Sequence, residues 1–162
     1  MKKILLLVAC FVSASSLYAQ ISNDEAQAVA NLLGVQKKEA VGKLVQVSGK
    51  DSIAFWKLYD EYQKKNNETA KSRIHLYEST ALIYGAMNAK TADSLANKYF
   101  ENRMSQEKSL EEYYKKIKAA TNAVTAFEFY QAEVYILTQI RANIMHQIPT
   151  YSEFKMYTAG KK

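Results

Sequence analysis

Hydrophobic residues recur every three or four positions along most of this chain, which is the spacing of one face of an α-helix. The pattern is strongest at residues 126–149, where two apolar stripes cover most of the helix circumference. The first stripe consists of Phe127, Tyr130, Val134, Leu137, Ile144 and Ile148, and the second consists of Phe129, Ile136, Ile140 and Met145. Such a helix must be covered on several sides, so the pattern predicts that it lies inside a bundle. Pro149 is expected to end it, because proline has no amide hydrogen.

The preceding residues predict four more helices. Two short helices are expected at residues 21–34 and 36–47, a long helix from Asp51 to about Asn88, and another capped by Thr91. Both long helices are polar in their middles, at similar distances from the connection between them, as expected for antiparallel partners. The chain has one proline and five glycines, which favours long helices over a β-rich fold.

The predicted fold is therefore all-α: an elongated antiparallel helical hairpin or bundle of three long helices, with one or two short N-terminal helices. The length suits one domain, which we place at residues 20–151. Residues 152–162 are predicted to form a flexible C-terminal tail.

The N-terminus has the features of a secretory signal peptide. Lys2 and Lys3 precede an apolar run at residues 4–12, and Ala19 lies at a plausible cleavage site. The apolar run is too short to span a membrane, and no later run is long and uncharged enough. We therefore expect residues 1–19 to be a signal peptide and the protein to be periplasmic or secreted.

Cys10 ends a stretch that resembles a lipoprotein acceptor site, but almost no apolar region precedes it, so cleavage near Ala19 is the favoured reading. That cleavage removes the only cysteine, which leaves no disulfide and no thiol chemistry. Loss of Lys2 and Lys3 lowers the formal net charge from +6 to +4. The remaining charges are interspersed, which argues against a nucleic-acid partner.

Signatures of metal binding and catalysis are missing from the sequence. His75 and His146 are the only histidines, and neither has an acidic residue three positions before it, as a di-iron bundle requires. The sequence has no Gly-x-Ser-x-Gly and no glycine-rich phosphate loop. We therefore expect a protein that is not an enzyme and that holds no metal or cofactor.

Several polar residues are expected inside the bundle, because they interrupt apolar stripes. The candidate interior polar network consists of Glu61, Arg73, Gln131, Glu133 and Arg141. Glu133 and Arg141 are eight residues apart on one helix, so their partners must come from the helices that carry Glu61 and Arg73. Arg141 either pairs with a carboxylate inside the bundle or extends its guanidinium to water. The network either fixes helix register or binds a ligand.

Tyrosine is abundant, with twelve residues in the chain. The candidate aromatic groove consists of Trp56, Tyr59, Tyr62, Tyr77, Tyr84, Tyr99, Tyr114 and Tyr130. These rings either fill the core or line a concave surface that binds apolar segments or a partner helix.

A set of residues between positions 55 and 151 has the spacing of a family motif. The set comprises Phe55, Trp56, Tyr59, Glu61, Tyr62, Arg73, Ile74, Leu76, Phe129, Tyr130, Gln131, Glu133, Arg141, Ile148 and Pro149. In this respect the chain resembles a family of small secreted helical proteins of Gram-negative bacteria, and it is distantly similar to the Spy/CpxP-type periplasmic chaperones. The resemblance implies export, a helical fold and chaperone-like binding.

These observations favour an exported, non-enzymatic helical protein that binds other polypeptides and is chaperone-like or associated with envelope stress. One alternative is a bundle that senses a small ligand or a metal through the glutamate–arginine network. Another is a structural component of the envelope that self-associates.

Overall fold

The structure is a computed structural model that describes residues 23–160, with side chains from residue 33 onward. The predicted signal peptide and Cys10 lie outside the described residues, so cleavage near Ala19 stays a prediction.

The described part of the chain is all helical, which confirms the predicted fold class. The helices are α1 (Asn23–Leu44), α2 (Gly49–Ile83), α3 (Ala89–Ala120), α4 (Ala123–Met145) and α5 (Tyr151–Ala159), and a 3-10 turn at Tyr84–Ala86 follows α2. None of these helices has an apolar run that could cross a membrane.

Helix α1 is one helix rather than the two short ones predicted. The chain passes through Gly34 without a break, although glycine costs about 1 kcal/mol relative to alanine in a helix interior. Contact with α2 stabilises this turn, since the Nε2 of Gln63 donates a hydrogen bond of 2.8 Å to the carbonyl oxygen of Gly34. Gly49 adopts a φ of 57°, a value that favours glycine, at the turn into α2.

Helices α2 and α3 form the predicted antiparallel hairpin. Asn66 donates to Ser109 at 2.9 Å, and farther along α2 the hydroxyl groups of Thr80 and Tyr99 are 2.7 Å apart. Because higher numbers on α2 face lower numbers on α3, the two chains run in opposite directions. Helix α1 is likewise antiparallel to α2, and α4 packs against α1, α2 and α3. The result is a four-helix bundle in which successive helices reverse direction.

Short polar side chains start the last three helices. The side chain of Asn88, rather than the predicted Thr91, is the N-cap of α3, and the two residues form a reciprocal capping box. Asn122 caps α4 by accepting hydrogen bonds from the backbone N–H groups of Val124 and Thr125.

Residues predicted to be a flexible tail instead form α5. Thr150 caps this helix in a second capping box, with Glu153. The phenol ring of Tyr84 lies 5.5 Å from the rings of both Tyr151 and Phe154. The prediction rested on the terminal position of the segment and did not weigh the capping box, so it missed this helix.

An aromatic cluster fills the centre of the bundle. The ring of Phe129 on α4 contacts the rings of Phe55, Tyr59 and Tyr62 on α2, at centroid distances of 5.3 to 6.4 Å. The buried residues that surround this cluster are Val41, Val45, Leu110, Tyr113, Ile117, Ala126, Ala132 and Ile136.

Helix α4 is covered on one side only, which contradicts the predicted position inside the bundle. Phe127, Tyr130 and Val134 of the first apolar stripe are 50%, 41% and 38% exposed. The buried side instead centres on Phe129 and Glu133. Apolar periodicity alone could not choose between the two sides, because both are apolar.

Candidate functional site

Glu133 is a carboxylate with no solvent exposure, at the middle of α4. Its Oε1 accepts a hydrogen bond of 3.0 Å from the hydroxyl group of Tyr59. Its Oε2 accepts one of 2.7 Å from the hydroxyl group of Tyr62 and one of 3.0 Å from the Nζ of Lys37. Both carboxylate oxygens are therefore satisfied inside the protein.

The three donors come from two neighbouring helices. Tyr59 and Tyr62 are three residues apart on α2, so both hydroxyl groups project from one face of that helix. Lys37 lies on α1, is only 8% exposed, and has its Nζ 4.9 Å from the centre of the Tyr62 ring. The buried positive and negative charges compensate each other.

Helix α3 joins this arrangement through Gln106. The buried Nε2 of Gln106 donates to the hydroxyl oxygen of Tyr62 at 3.0 Å, and its Oε1 accepts from Arg73 at 3.2 Å. We call Lys37, Tyr59, Tyr62, Gln106 and Glu133 the carboxylate network. It connects all four long helices with hydrogen bonds.

The electrostatics keep both phenols protonated. Burial raises the pKa of Tyr59, and the negative charge of Glu133 raises it further. The pKa of Tyr62 is raised by the same two causes in the same order. These tyrosines therefore remain hydrogen-bond donors to Glu133.

The carboxylate network has the chemistry of a structural centre. Glu133 is not accessible to solvent, and its oxygens are occupied by protein donors. Within the part of the chain that the structure describes, no three His, Cys, Asp or Glu side chains are grouped as metal ligands would be.

The structure separates the five residues predicted to form the interior network. Glu133 lies in the carboxylate network and Arg73 reaches it through Gln106. Glu61 and Gln131 are exposed, so the interior placement was wrong for both. Glu61 precedes Tyr62 and therefore projects away from the core, and Gln131 lies on the outer side of α4.

Arg141 is half-buried and does not pair with Glu133. It lines a separate cavity together with Arg73 and Arg103.

Sequence reasoning missed Lys37 and Gln106. Lys37 precedes Val41 and Val45 by four and eight residues, so it lies on the apolar side of α1. That spacing was available in the sequence as a signal of a buried lysine. Gln106 lies in the polar middle of α3 and had no comparable signal.

The predicted aromatic groove is not one surface. Tyr59 and Tyr62 are core residues, Trp56 and Tyr114 are half-buried around the core, and Tyr130 is exposed. Tyr77, Tyr84 and Tyr99 line the cavity that contains the arginines. Tyr113, which was not among the predicted residues, is buried in the core.

An exposed apolar surface runs along the side of α4 that the other helices leave uncovered. We call it the outer face of α4, and it consists of Val124, Phe127, Tyr130, Val134 and Tyr135, which are 38% to 67% exposed. The charged residues of α4 are Glu128, Glu133 and Arg141, and none of them is fully exposed. Glu128 accepts a hydrogen bond from the backbone of Gln46 on the α1 side.

Comparison with protein-family models, with curated proteins and with solved structures gives no match. The resemblance to the secreted helical family and to the Spy/CpxP-type chaperones therefore stays a prediction, and function must be inferred from the geometry.

The ion pair of the carboxylate network can be tested by a double-mutant cycle. We expect Glu133→Gln to lower the free energy of unfolding by about 3–5 kcal/mol, because it leaves the Lys37 ammonium buried without a counter-charge. The double variant Lys37→Met/Glu133→Gln should recover most of that loss, as measured by urea denaturation. Glu107→Gln, the same change at an exposed position of α3, should cost less than about 1 kcal/mol. A loss in the double variant equal to the sum of the losses in Glu133→Gln and in Lys37→Met alone would contradict this pairing.

The raised pKa values of Tyr59 and Tyr62 predict a loss of stability in alkali. Above about pH 10 the unfolded chain releases phenolic protons that the folded protein retains. The unfolded state then binds fewer protons, so the free energy of unfolding falls as the pH rises. We expect Tm to fall between about pH 9 and pH 11, and to fall less steeply in Tyr59→Phe. An equal slope in both proteins would contradict this origin.

Proposed function

We propose that this protein is an exported, non-enzymatic helical protein that binds apolar segments of other polypeptides through the outer face of α4. The single observation that carries the proposal is the outer face itself, where five large apolar side chains are exposed and no charged side chain of α4 is. These side chains surround the exposed Gln131, and a cluster of exposed large apolar residues is typical of an interaction site.

Aromatic residues make the outer face suited to binding rather than only to burial. Phe127, Tyr130 and Tyr135 contribute three rings, and the first two stack with centroids 6.4 Å apart. Aromatic side chains are enriched at protein interfaces because they combine large apolar area with few rotatable bonds. The hydroxyl groups of the two tyrosines can also bond to the backbone of a partner.

The shape of the surface favours an amphipathic helix as the bound segment. The exposed apolar residues follow a ridge along one helix rather than a closed pocket. A second helix can pack its own apolar stripe alongside such a ridge and become a fifth helix of the bundle.

The carboxylate network supports this arrangement by setting the rotation of α4 about its axis. Glu133 must face Lys37, Tyr59 and Tyr62. In an α-helix, residues 124 and 135 then lie close to the opposite direction, because each residue turns the helix by about 100°. The buried charge therefore keeps Val124 and Tyr135 on the uncovered side of α4.

The proposal is tested by the ability of the purified protein to slow aggregation of an unfolded client, measured by light scattering at near-stoichiometric ratio. We expect Phe127→Ser/Tyr130→Ser to lose most of this activity, because the change removes the stacked ring pair. Ile53→Ser is the matched control, since Ile53 is an apolar residue 78% exposed on α2, and it should retain activity.

Two results would overturn the polypeptide-binding proposal. One is the absence of an effect at several-fold molar excess. The other is a stable dimer that depends on Phe127 and Tyr130 and does not dissociate for a client, as measured by light scattering coupled to size-exclusion chromatography. That second result would favour a self-associating structural component.

Export is tested by expressing the full chain in a Gram-negative host and measuring the mass of the protein in the periplasmic fraction. We expect the mass of residues 20–162, because Ala19 follows the apolar run at a typical cleavage distance. An uncleaved chain confined to the cytoplasm would contradict the export prediction.

A further inference from the structure

All three arginines of this protein line one cavity. The chain contains nineteen lysines and only three arginines, and Arg73, Arg103 and Arg141 come from α2, α3 and α4, respectively. They meet at a cavity of about 380 Å³ at the end of the bundle where α2 ends and α3 begins. These residues are far apart in the sequence, yet all three line the same cavity. This placement indicates that the cavity requires guanidinium groups.

Among the residues whose side chains the structure describes, the arginine cavity has no acidic residue in its wall. The carboxylates of Asp60, Glu111 and Glu112 pair with lysines, as do those of Glu68 and Glu133. Arg73 donates to Gln106, which is neutral.

The positive groups also act on one another. Burial lowers the pKa of Arg73, and the nearby guanidinium of Arg141 adds to the decrease. Tyr77 opposes it more strongly than Arg141 adds to it, and Tyr62 and Glu133 oppose it to a smaller extent. Burying like charges close together is unfavourable unless an anion compensates them. The carboxylate network does not supply that anion, because Glu133 already pairs with Lys37.

The remaining walls of the cavity are apolar and aromatic. The rings of Tyr77 and Tyr99 meet edge to face at 5.7 Å, and Phe100, Met145 and Ile148 are among the other lining residues. The hydroxyl group of Tyr99 is paired with Thr80, and that of Tyr84 donates to the carbonyl oxygen of Pro149. A cavity of this volume, apolar with a few convergent polar groups, is typical of sites for small organic ligands.

We propose that the arginine cavity binds a small organic phosphate monoester, with the phosphate held by Arg73, Arg103 and Arg141 and the organic part against the rings of Tyr77 and Tyr99. The planar guanidinium group forms paired hydrogen bonds with phosphate oxygens, which the ammonium of lysine does not. A phosphate monoester carries nearly two negative charges at neutral pH, which offsets most of the charge of three arginines.

This site is distinct from the outer face of α4. The ligand-binding residues lie at Arg141 and beyond on α4, whereas the outer face extends from Val124 to Tyr135. Failure of one proposal therefore leaves the other standing.

Isothermal titration calorimetry of the full chain with phenyl phosphate tests the proposal. We expect saturable binding at one site, and binding of inorganic phosphate about tenfold weaker because it lacks the ring. Arg103→Gln and Arg141→Gln should each weaken phenyl phosphate binding about tenfold or more, since each removes a charge-assisted hydrogen bond. Arg141→Lys should fall between the wild type and Arg141→Gln.

Lys118→Gln is the matched control, because it removes one positive charge from an exposed position of α3. Phe127→Ser/Tyr130→Ser is the second control. Both control variants should bind phenyl phosphate as the wild type does.

No saturable heat in the wild type would overturn the proposal. Equal weakening by Lys118→Gln and Arg103→Gln would also overturn it, because the attraction would then come from net charge rather than from a built site. Circular dichroism of each variant checks that the helices are intact, and the exposed position of Arg103 makes that variant decisive.

Discussion

The buried carboxylate of Glu133 is the constraint on which the bundle depends. Removing a charge from water costs several kcal/mol, and the cost is offset only when an opposite charge and hydrogen bonds surround it. Here the ammonium of Lys37 and two phenols supply both. Because these donors sit on α1 and α2, a shift in register or a rotation of any of the three helices would leave a buried polar group unsatisfied.

Lysine and arginine occupy different environments in this protein. Lysines form the accessible ion pairs, such as those of Lys116 with Glu112 and Lys71 with Glu68, and one lysine enters the core. Arginines are confined to the cavity at the far end of the bundle. The difference follows from their chemistry, since a lysine ammonium acts as a point charge whereas a guanidinium is a rigid planar donor. Helix α4 therefore carries the buried Glu133, the exposed outer face, and Arg141 near its C-terminal end.

Much of the fold could be predicted from the sequence, because helix periodicity and caps are local signals. The hairpin of α2 and α3 and the cap at Asn122 follow from such signals. The exposed side of α4 could not be predicted, because apolar residues occupy both sides and only the position of Glu133 against Tyr59 and Tyr62 decides between them. The partnership of Lys37 with Glu133 is a contact across 96 positions, and it needs the three-dimensional packing to be seen. For the same reason the meeting of the three arginines was not visible in the sequence.

Helix α5 is packed less closely than the four long helices. It has no buried residue, and its Tyr151 and Phe154 rings contact the ring of Tyr84 in the turn after α2. An element with so little buried surface opens with a smaller free energy than the core, as a separate cooperative unit. Pro149 and Thr150, which precede α5, also line the arginine cavity. Opening of this short helix would thus alter one wall of the cavity while Glu133 and its donors keep their hydrogen bonds. Access to the arginines can therefore change while the four-helix bundle stays folded.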